Sequence, residues 1–172
     1  MLNNSLVLGI DFGTSGVRIA IINTKKKILL TSSKTYSTSL EISADWTNSL
    51  KSLIQEIPKD LKEKLVACSV AGTSGTLLAC KKDGEPMGKA LPYFLSCPEY
   101  SYEIDKLFSK ECAGSSICGS VGRALRLLDF YGNESILRHQ ADWISGWLIN
   151  NWEYGEEGNN IRMGWEISNG SW

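Results

Sequence analysis

The sequence predicts an α/β fold: a mixed sheet that begins with three antiparallel strands and is flanked by helices. Three observations predict it. Branched, apolar runs at 6–10, 17–22 and 28–37 are joined by polar connections of only a few residues, which suit antiparallel neighbours. A helical period comes next. It is followed at 65–72 by the continuous apolar run LVACSVAG, typical of a strand buried on both faces.

The first two runs frame the stretch GIDFGTSG. Residues 12–16 read as a hairpin turn, with Gly13 and Gly16 free to adopt positive φ. That reading leaves Asp11 unexplained, because a carboxylate at the end of an apolar strand is costly unless paired or coordinated. A Gly/Thr/Ser turn also gathers backbone N–H groups and hydroxyls into one concavity, which suits phosphate. An adjacent aspartate suits the magnesium that accompanies nucleotide phosphates. A plain hairpin and a phosphate hairpin both remain open on these residues alone.

NTKKK at 23–27 makes a second polar turn before the third strand. Trp46, Leu50, Leu53, Ile54 and Ile57 then recur at helical spacing, with Asp45 as candidate N-cap and Pro58 at the end. After the run at 65–72, TLLAC at 76–80 reads as a further strand closed by the turn KKDGEP. Three helices are predicted beyond it. The first spans 99–111 with Ile104, Leu107 and Phe108 inward. The second spans 119–130 with Val121, Ala124, Leu125 and Leu128 inward. The third spans 140–149 with Ala141, Ile144 and Leu148 inward. The tail from 151 to 172 is rich in Gly, Asn and Trp and has no clear period.

The totals narrow the classes. The chain of 172 residues can bury one real core, and 42% apolar with 22% charged residues describes a soluble globular chain. A net charge of −1 does not fit a nucleic-acid or anionic-membrane binder. No stretch reaches the roughly 20 apolar residues of a membrane span, and the N-terminus lacks a signal-peptide pattern. The five cysteines, Cys68, Cys80, Cys97, Cys112 and Cys118, are odd in number and form no CxxC pair. Reduced thiols in the cytoplasm are expected, with no metal site built on them.

Three strands, a helix, a strand and further α/β units match an α/β domain of the ribonuclease-H-like type, shared by actin, Hsp70 and sugar kinases. The residues themselves resemble the FGGY carbohydrate kinases. GIDFGTSGVRIAI resembles the family's phosphate-binding hairpin. VACSVAGTSGTLLACKKDGEPMGKALPYF resembles its sugar-site strand, the hairpin after it and the approach to a substrate-contacting loop. GSVGRALRLLDF, ILRHQADWISGWLINNW and GNNIRMGWEISNGSW resemble the segments that follow, in order. The xylulokinase/ribulokinase-like branch is the nearest in pattern.

The resemblance implies roles. Asp11 would hold Mg²⁺, and Gly13, Thr14 and Ser15 would approach the phosphates of ATP. Thr73, Ser74, Gly75 and Thr76 would face sugar hydroxyls, with Tyr93 on the substrate loop. Directed donors and acceptors at a strand end suit a sugar. The branch tends to carry Asp or Asn-Asp after the residue matching Tyr93, whereas Phe94 and Leu95 stand here, so the sugar stays open. The resemblance also puts the catalytic base, the second phosphate loop and the adenosine site in a second domain. The chain is therefore expected to be the N-terminal domain of a two-domain kinase, with no catalytic residue of its own and a C-terminal kinase half as partner.

DFG occurs in protein kinases after an HRD loop, which is absent, and there is no GxxxxGK[ST]. GTSG recurs at 72–75 without an aspartate before it and reads as a sugar-facing or merely tight turn. His139 and Asp142 could share a helix face as an acid–base pair, but a capping or surface role is the more ordinary one. The six tryptophans are better read as packing than as sugar platforms. The expected activity is transfer of the γ-phosphate of ATP to a sugar hydroxyl, most simply of a ketopentose such as xylulose or ribulose, with the chain alone inactive. The alternatives are a non-catalytic sugar- or phosphate-binding module and a decayed gene fragment.

Overall fold

The computed structural model describes residues 5–109 and 113–171. Cys112, the last two positions of the helix predicted at 99–111, and Trp172 lie outside them. The chain divides into two compact units, Met1–Gly72 and Thr73–Trp172.

The first unit is a four-stranded mixed sheet with one long helix. Its elements are β1 (Leu6–Phe12), β2 (Gly16–Asn23), β3 (Ile28–Thr35), α1 (Ser43–Glu56), a single turn α2 (Lys59–Lys62) and β4 (Leu65–Gly72). The strand order is β3-β2-β1-β4, with β4 parallel to β1 and the other pairs antiparallel. Alternation puts Leu6, Leu8, Ile10 and Phe12 of β1, and Val17, Ile19 and Ile21 of β2, in the core. Trp46, Leu50 and Leu53 of α1 are buried with them, each such side chain contributing about 1.5–3 kcal/mol. Asp45 is not the N-cap. The helix starts two residues earlier, and the Asp45 carboxylate accepts from the Thr38 and Ser39 N–H groups at 2.6 and 3.1 Å.

Two further expectations are corrected in this unit. β4 is largely exposed, with Val66 at 66%, rather than buried on both faces. It is an edge strand of this sheet, paired on one side only, and its Ala, Cys and Ser side chains are too small to shield it. Neither Gly13 nor Gly16 has positive φ. Gly16 is needed for space instead, since a Cβ there would lie 2.3 Å from the Lys34 carbonyl oxygen.

The second unit contains β5 (Leu77–Cys80), α3 (Ser101–Leu107), α4 (Ser120–Tyr131), β6 (Ile136–His139), α5 (Gln140–Ile149) and a short α6 (Glu157–Asn160), with 3₁₀ turns at Pro98–Tyr100, Ala113–Ser115 and Ile161–Met163. β5 and β6 form an antiparallel pair. Leu77, Ala79, Ala124 and Leu127 make a core against which Met87, Leu91 and Leu137 pack. The predicted inward residue Leu107 is 63% exposed, because α3 is a short helix that buries only Ile104. The turn after β5 has Gly84 at φ +82°, and a Cβ there would fall within 2.1 Å of the Trp152 ring. Trp143 Nε1 donates to the Gly84 carbonyl and Trp152 Nε1 to that of Trp143, both at 3.0 Å. These two tryptophans are packing residues. No helix among the described residues is long and apolar enough to cross a membrane.

Candidate functional site

Asp11 is the penultimate residue of β1, directly before the first hairpin. Its side chain is exposed, and Oδ2 lies 3.8 Å from Nη1 of Arg18, also exposed, its cross-strand partner. The hairpin is closed by the Gly13 N–H donating to the Gly16 carbonyl at 2.9 Å. Tyr36 secures it from β3's end: its N–H donates to the Ser15 carbonyl at 2.9 Å and its hydroxyl to the Gly13 carbonyl at 3.0 Å. The carbonyls of Gly13, Ser15 and Gly16 are thereby engaged. The exposed Thr14 and Ser15 keep N–H groups and hydroxyls with no partner among the described residues. That is a donor-rich tip beside a carboxylate whose ion-pair partner is the exposed Arg18. No group of three His, Cys, Asp or Glu suited to a metal occurs among the described residues. A single carboxylate fits magnesium, which keeps most of its waters and takes its other ligands from substrate phosphates.

In the second unit, residues 73–76 form a tight turn in which the Thr76 N–H donates to the Thr73 carbonyl at 3.3 Å and Gly75 sits at φ +93°, as glycine alone does readily. The four residues part company there. Ser74 lines a cavity of about 420 Å³, with Tyr93, Ser120, Arg123 and Arg162 on its walls. Thr76 is fully buried behind the cavity, and its hydroxyl accepts from the Tyr93 N–H at 3.2 Å. The Thr73 hydroxyl lies 2.7 Å from both the Thr76 hydroxyl and Gln140 Oε1, and Gln140 Oε1 also accepts the Thr73 N–H at 2.9 Å. The expectation that all four hydroxyl-bearing and glycine positions face a sugar is thus corrected. Thr73 and Thr76 brace the turn, because their hydroxyls are consumed by the network that joins β5 to the start of α5.

Arg123 is 1% exposed and holds the cavity's floor together. Its Nε donates to the Gly75 carbonyl at 2.9 Å, and its Nη1 to the carbonyls of Tyr93, Leu95 and Cys118 at 3.0, 2.7 and 3.0 Å. The sequence signal was present in the helix pattern. Arg123 falls three residues after Ser120 and four before Leu127, on the buried stripe of α4, where an arginine needs a reason.

His139 is the N-cap residue of α5, without a side-chain cap bond, and Asp142 lies in the first turn; both are buried, at 2% and 5%, rather than at the surface. Burial, assisted by the charges of Arg123, Arg162 and Arg138, pushes the His139 imidazole down to about 4, with the Asn159 backbone working weakly the other way. Neither ring nitrogen makes a hydrogen bond of ordinary geometry. Burial raises the Asp142 carboxyl, opposed by the Glu156 N–H at 3.0 Å and the Asn159 amide at 3.1 Å. No hydrogen bond joins the two side chains among the described residues: Asp142 accepts from Glu156 and Asn159, and neither His139 ring nitrogen has a partner of ordinary geometry.

No family model matches the chain. Among solved structures it is similar to a Plasmodium falciparum glycerol kinase determined with ADP, with TM-score 0.81 at 15% identity over 98% of this chain and 39% of that one. The xylulose kinase of Rhodospirillum rubrum gives TM-score 0.79 at 14% identity over 96% of this chain and 38% of that one. The xylulose kinase of Bifidobacterium adolescentis gives 0.75 at 11% over 98% and 41%. The chain therefore spans about two fifths of the length of the structures it matches. At these identities the likeness establishes the fold, which is that of the corresponding part of carbohydrate kinases in the actin/Hsp70/ribonuclease-H-like class.

Proposed function

We propose that this chain is the N-terminal part of an FGGY carbohydrate kinase, which transfers the γ-phosphate of ATP to a sugar hydroxyl. The observation that carries the reading is the carboxylate of Asp11 beside a hairpin tip whose Thr14 and Ser15 donors are free, in a chain with the fold of carbohydrate kinases. Thr14 and Ser15 receive phosphate oxygens, and Gly13, whose own N–H closes the turn, lets the phosphate come close because it carries no side chain. Asp11 holds Mg²⁺ through its waters, and the ion supplies charge neutralisation on the phosphates. In the second unit Ser74, Gly75 and Tyr93 meet the sugar, while Thr73 and Thr76 keep the turn in shape. The general base and the adenosine pocket belong to a second domain, and a soluble, cytoplasmic setting accompanies this reading. Phosphoryl transfer depends on fixing phosphate, metal and acceptor together, a positioning effect worth about 7–11 kcal/mol, so residues 1–172 by themselves do not turn over.

Nuclear magnetic resonance titration of the chain tests this directly. MgADP should shift the amide signals of Gly13, Thr14, Ser15 and Gly16, and Asp11→Asn should abolish the magnesium dependence of those shifts without unfolding the protein. A coupled assay with ATP and xylulose, ribulose or glycerol should show no turnover. The absence of any MgADP response at the hairpin would refute the kinase reading. Turnover lost in Asp11→Asn would refute the need for a second domain.

A further inference from the structure

We propose that the cavity of the second unit holds an anionic group, and that its carbohydrate is a sugar acid rather than a neutral sugar; the sugar half rests on the kinase reading, the anion half on the cavity alone.

Arg123 is a buried cation with no carboxylate within ion-pair distance among the described residues. A guanidinium in such a place is costly unless its charge is answered. Nε and Nη1 are spent on four backbone carbonyls. Nη2 has no protein acceptor, and it packs closely against Gly75 beside the Ser120 hydroxyl: a Cβ on Gly75 would crowd Nη2 at 3.0 Å and meet the hydroxyl at 3.4 Å. That hydroxyl is the second observation. Ser120 is 2% exposed, lines the same cavity, and its Oγ has no hydrogen-bond partner. Ser120 also opens the twelve-residue helix α4, whose N-cap Gly119 has no side chain to answer the first N–H groups.

Arg162 places a second guanidinium on the wall, near enough that its charge bears on both Arg123 and His139. No Asp or Glu lines the cavity. The acids on the adjacent turn are engaged locally: Glu156 accepts the Asn159 N–H and Glu157 the Trp165 indole N–H, each at 3.0 Å. Two guanidinium groups, an unanswered buried hydroxyl and a helix N-terminus thus converge on one cavity. One free guanidinium nitrogen and one hydroxyl on the cavity lining match the two oxygens of a carboxylate better than the three of a phosphate. About 420 Å³ leaves room for a polyhydroxylated chain beside Ser74.

The test titrates the chain with gluconate, its neutral counterpart glucitol, glucose 6-phosphate and inorganic phosphate, following amide signals of Ser74, Tyr93 and Ser120. Gluconate should bind at least tenfold more tightly than glucitol. Arg162→Gln, at an exposed position away from the core, and Ser120→Ala should each weaken gluconate roughly fivefold or more and leave glucitol unchanged. Equal binding of gluconate and glucitol overturns the proposal. So does tighter binding of glucose 6-phosphate or inorganic phosphate than of gluconate, or a gluconate preference unmoved by both variants. A gluconate preference without any MgADP response at residues 13–16 sustains this site and removes the kinase reading; the reverse pattern does the opposite.

Discussion

Replacing Arg123 with methionine should destabilise the second unit by about 3–5 kcal/mol. The guanidinium closes four carbonyls, of Gly75, Tyr93, Leu95 and Cys118, from segments up to 48 residues away in sequence. Methionine keeps the aliphatic stem and removes every donor. Each buried carbonyl left without a partner costs about 1–3 kcal/mol, so four give an upper range of roughly 4–12. Two effects reduce it. Water entering the adjoining cavity can answer some of the carbonyls, and removing a buried cation also removes its own desolvation cost. Arg123→Lys should recover only part of the loss, because an ammonium has no planar fork to span four acceptors. Because the two units need not unfold together, hydrogen exchange of peptides covering 73–97 and 113–131 should be followed in urea, with peptides covering 6–35 as internal control. A loss below about 1 kcal/mol, or one shared equally by the 6–35 peptides, would refute the idea that this side chain organises the cavity floor.

Three further outcomes follow from the geometry. His139 titrates near 4 when folded and near 6.5 when unfolded, so below 6.5 the unfolded chain takes up a proton that the folded chain refuses; stability should fall by about 3 kcal/mol as pH drops from 7 to 4, and His139→Gln should remove most of that slope in urea melts. Asp142, raised by burial, pulls the other way at the acid end, which is why the comparison with His139→Gln is the decisive one. Gly16→Ala should cost about 1–3 kcal/mol and loosen the β2–β3 ladder, read as a lower thermal midpoint and faster exchange of the β3 amides, since its Cβ would press on the Lys34 carbonyl. Among the described thiols, Cys68 and Cys118 should alkylate readily at pH 8 while Cys80, buried and pushed up to about 11, should resist until the protein unfolds, as mass spectrometry of the labelled peptides would show.

What the sequence determined by itself is local. Branched, apolar runs at 6–10 and 17–22, with a short Gly/Thr/Ser turn between them, were enough to specify the first hairpin and to put Asp11 at its mouth. Helical spacing specified α1, α4 and α5 to within a few residues, and Gly, Ser and Thr in GTSG announced the turn at 73–76. Each depends on neighbours within about one turn or one hairpin, so its physics is written in consecutive residues. Tertiary structure decided the rest. β6 was invisible because a four-residue strand shows no period until β5, some sixty residues earlier, gives it a ladder. β4 looked doubly buried because composition reports apolarity, whereas exposure depends on which edge of the sheet the strand occupies. Thr76 looked like a sugar contact until Tyr93 claimed its hydroxyl, and Arg123 showed no role until four distant carbonyls converged on it. Hydrogen-bond partners of buried polar groups are chosen by the packing of elements remote in sequence, and residue type constrains only how many partners are needed.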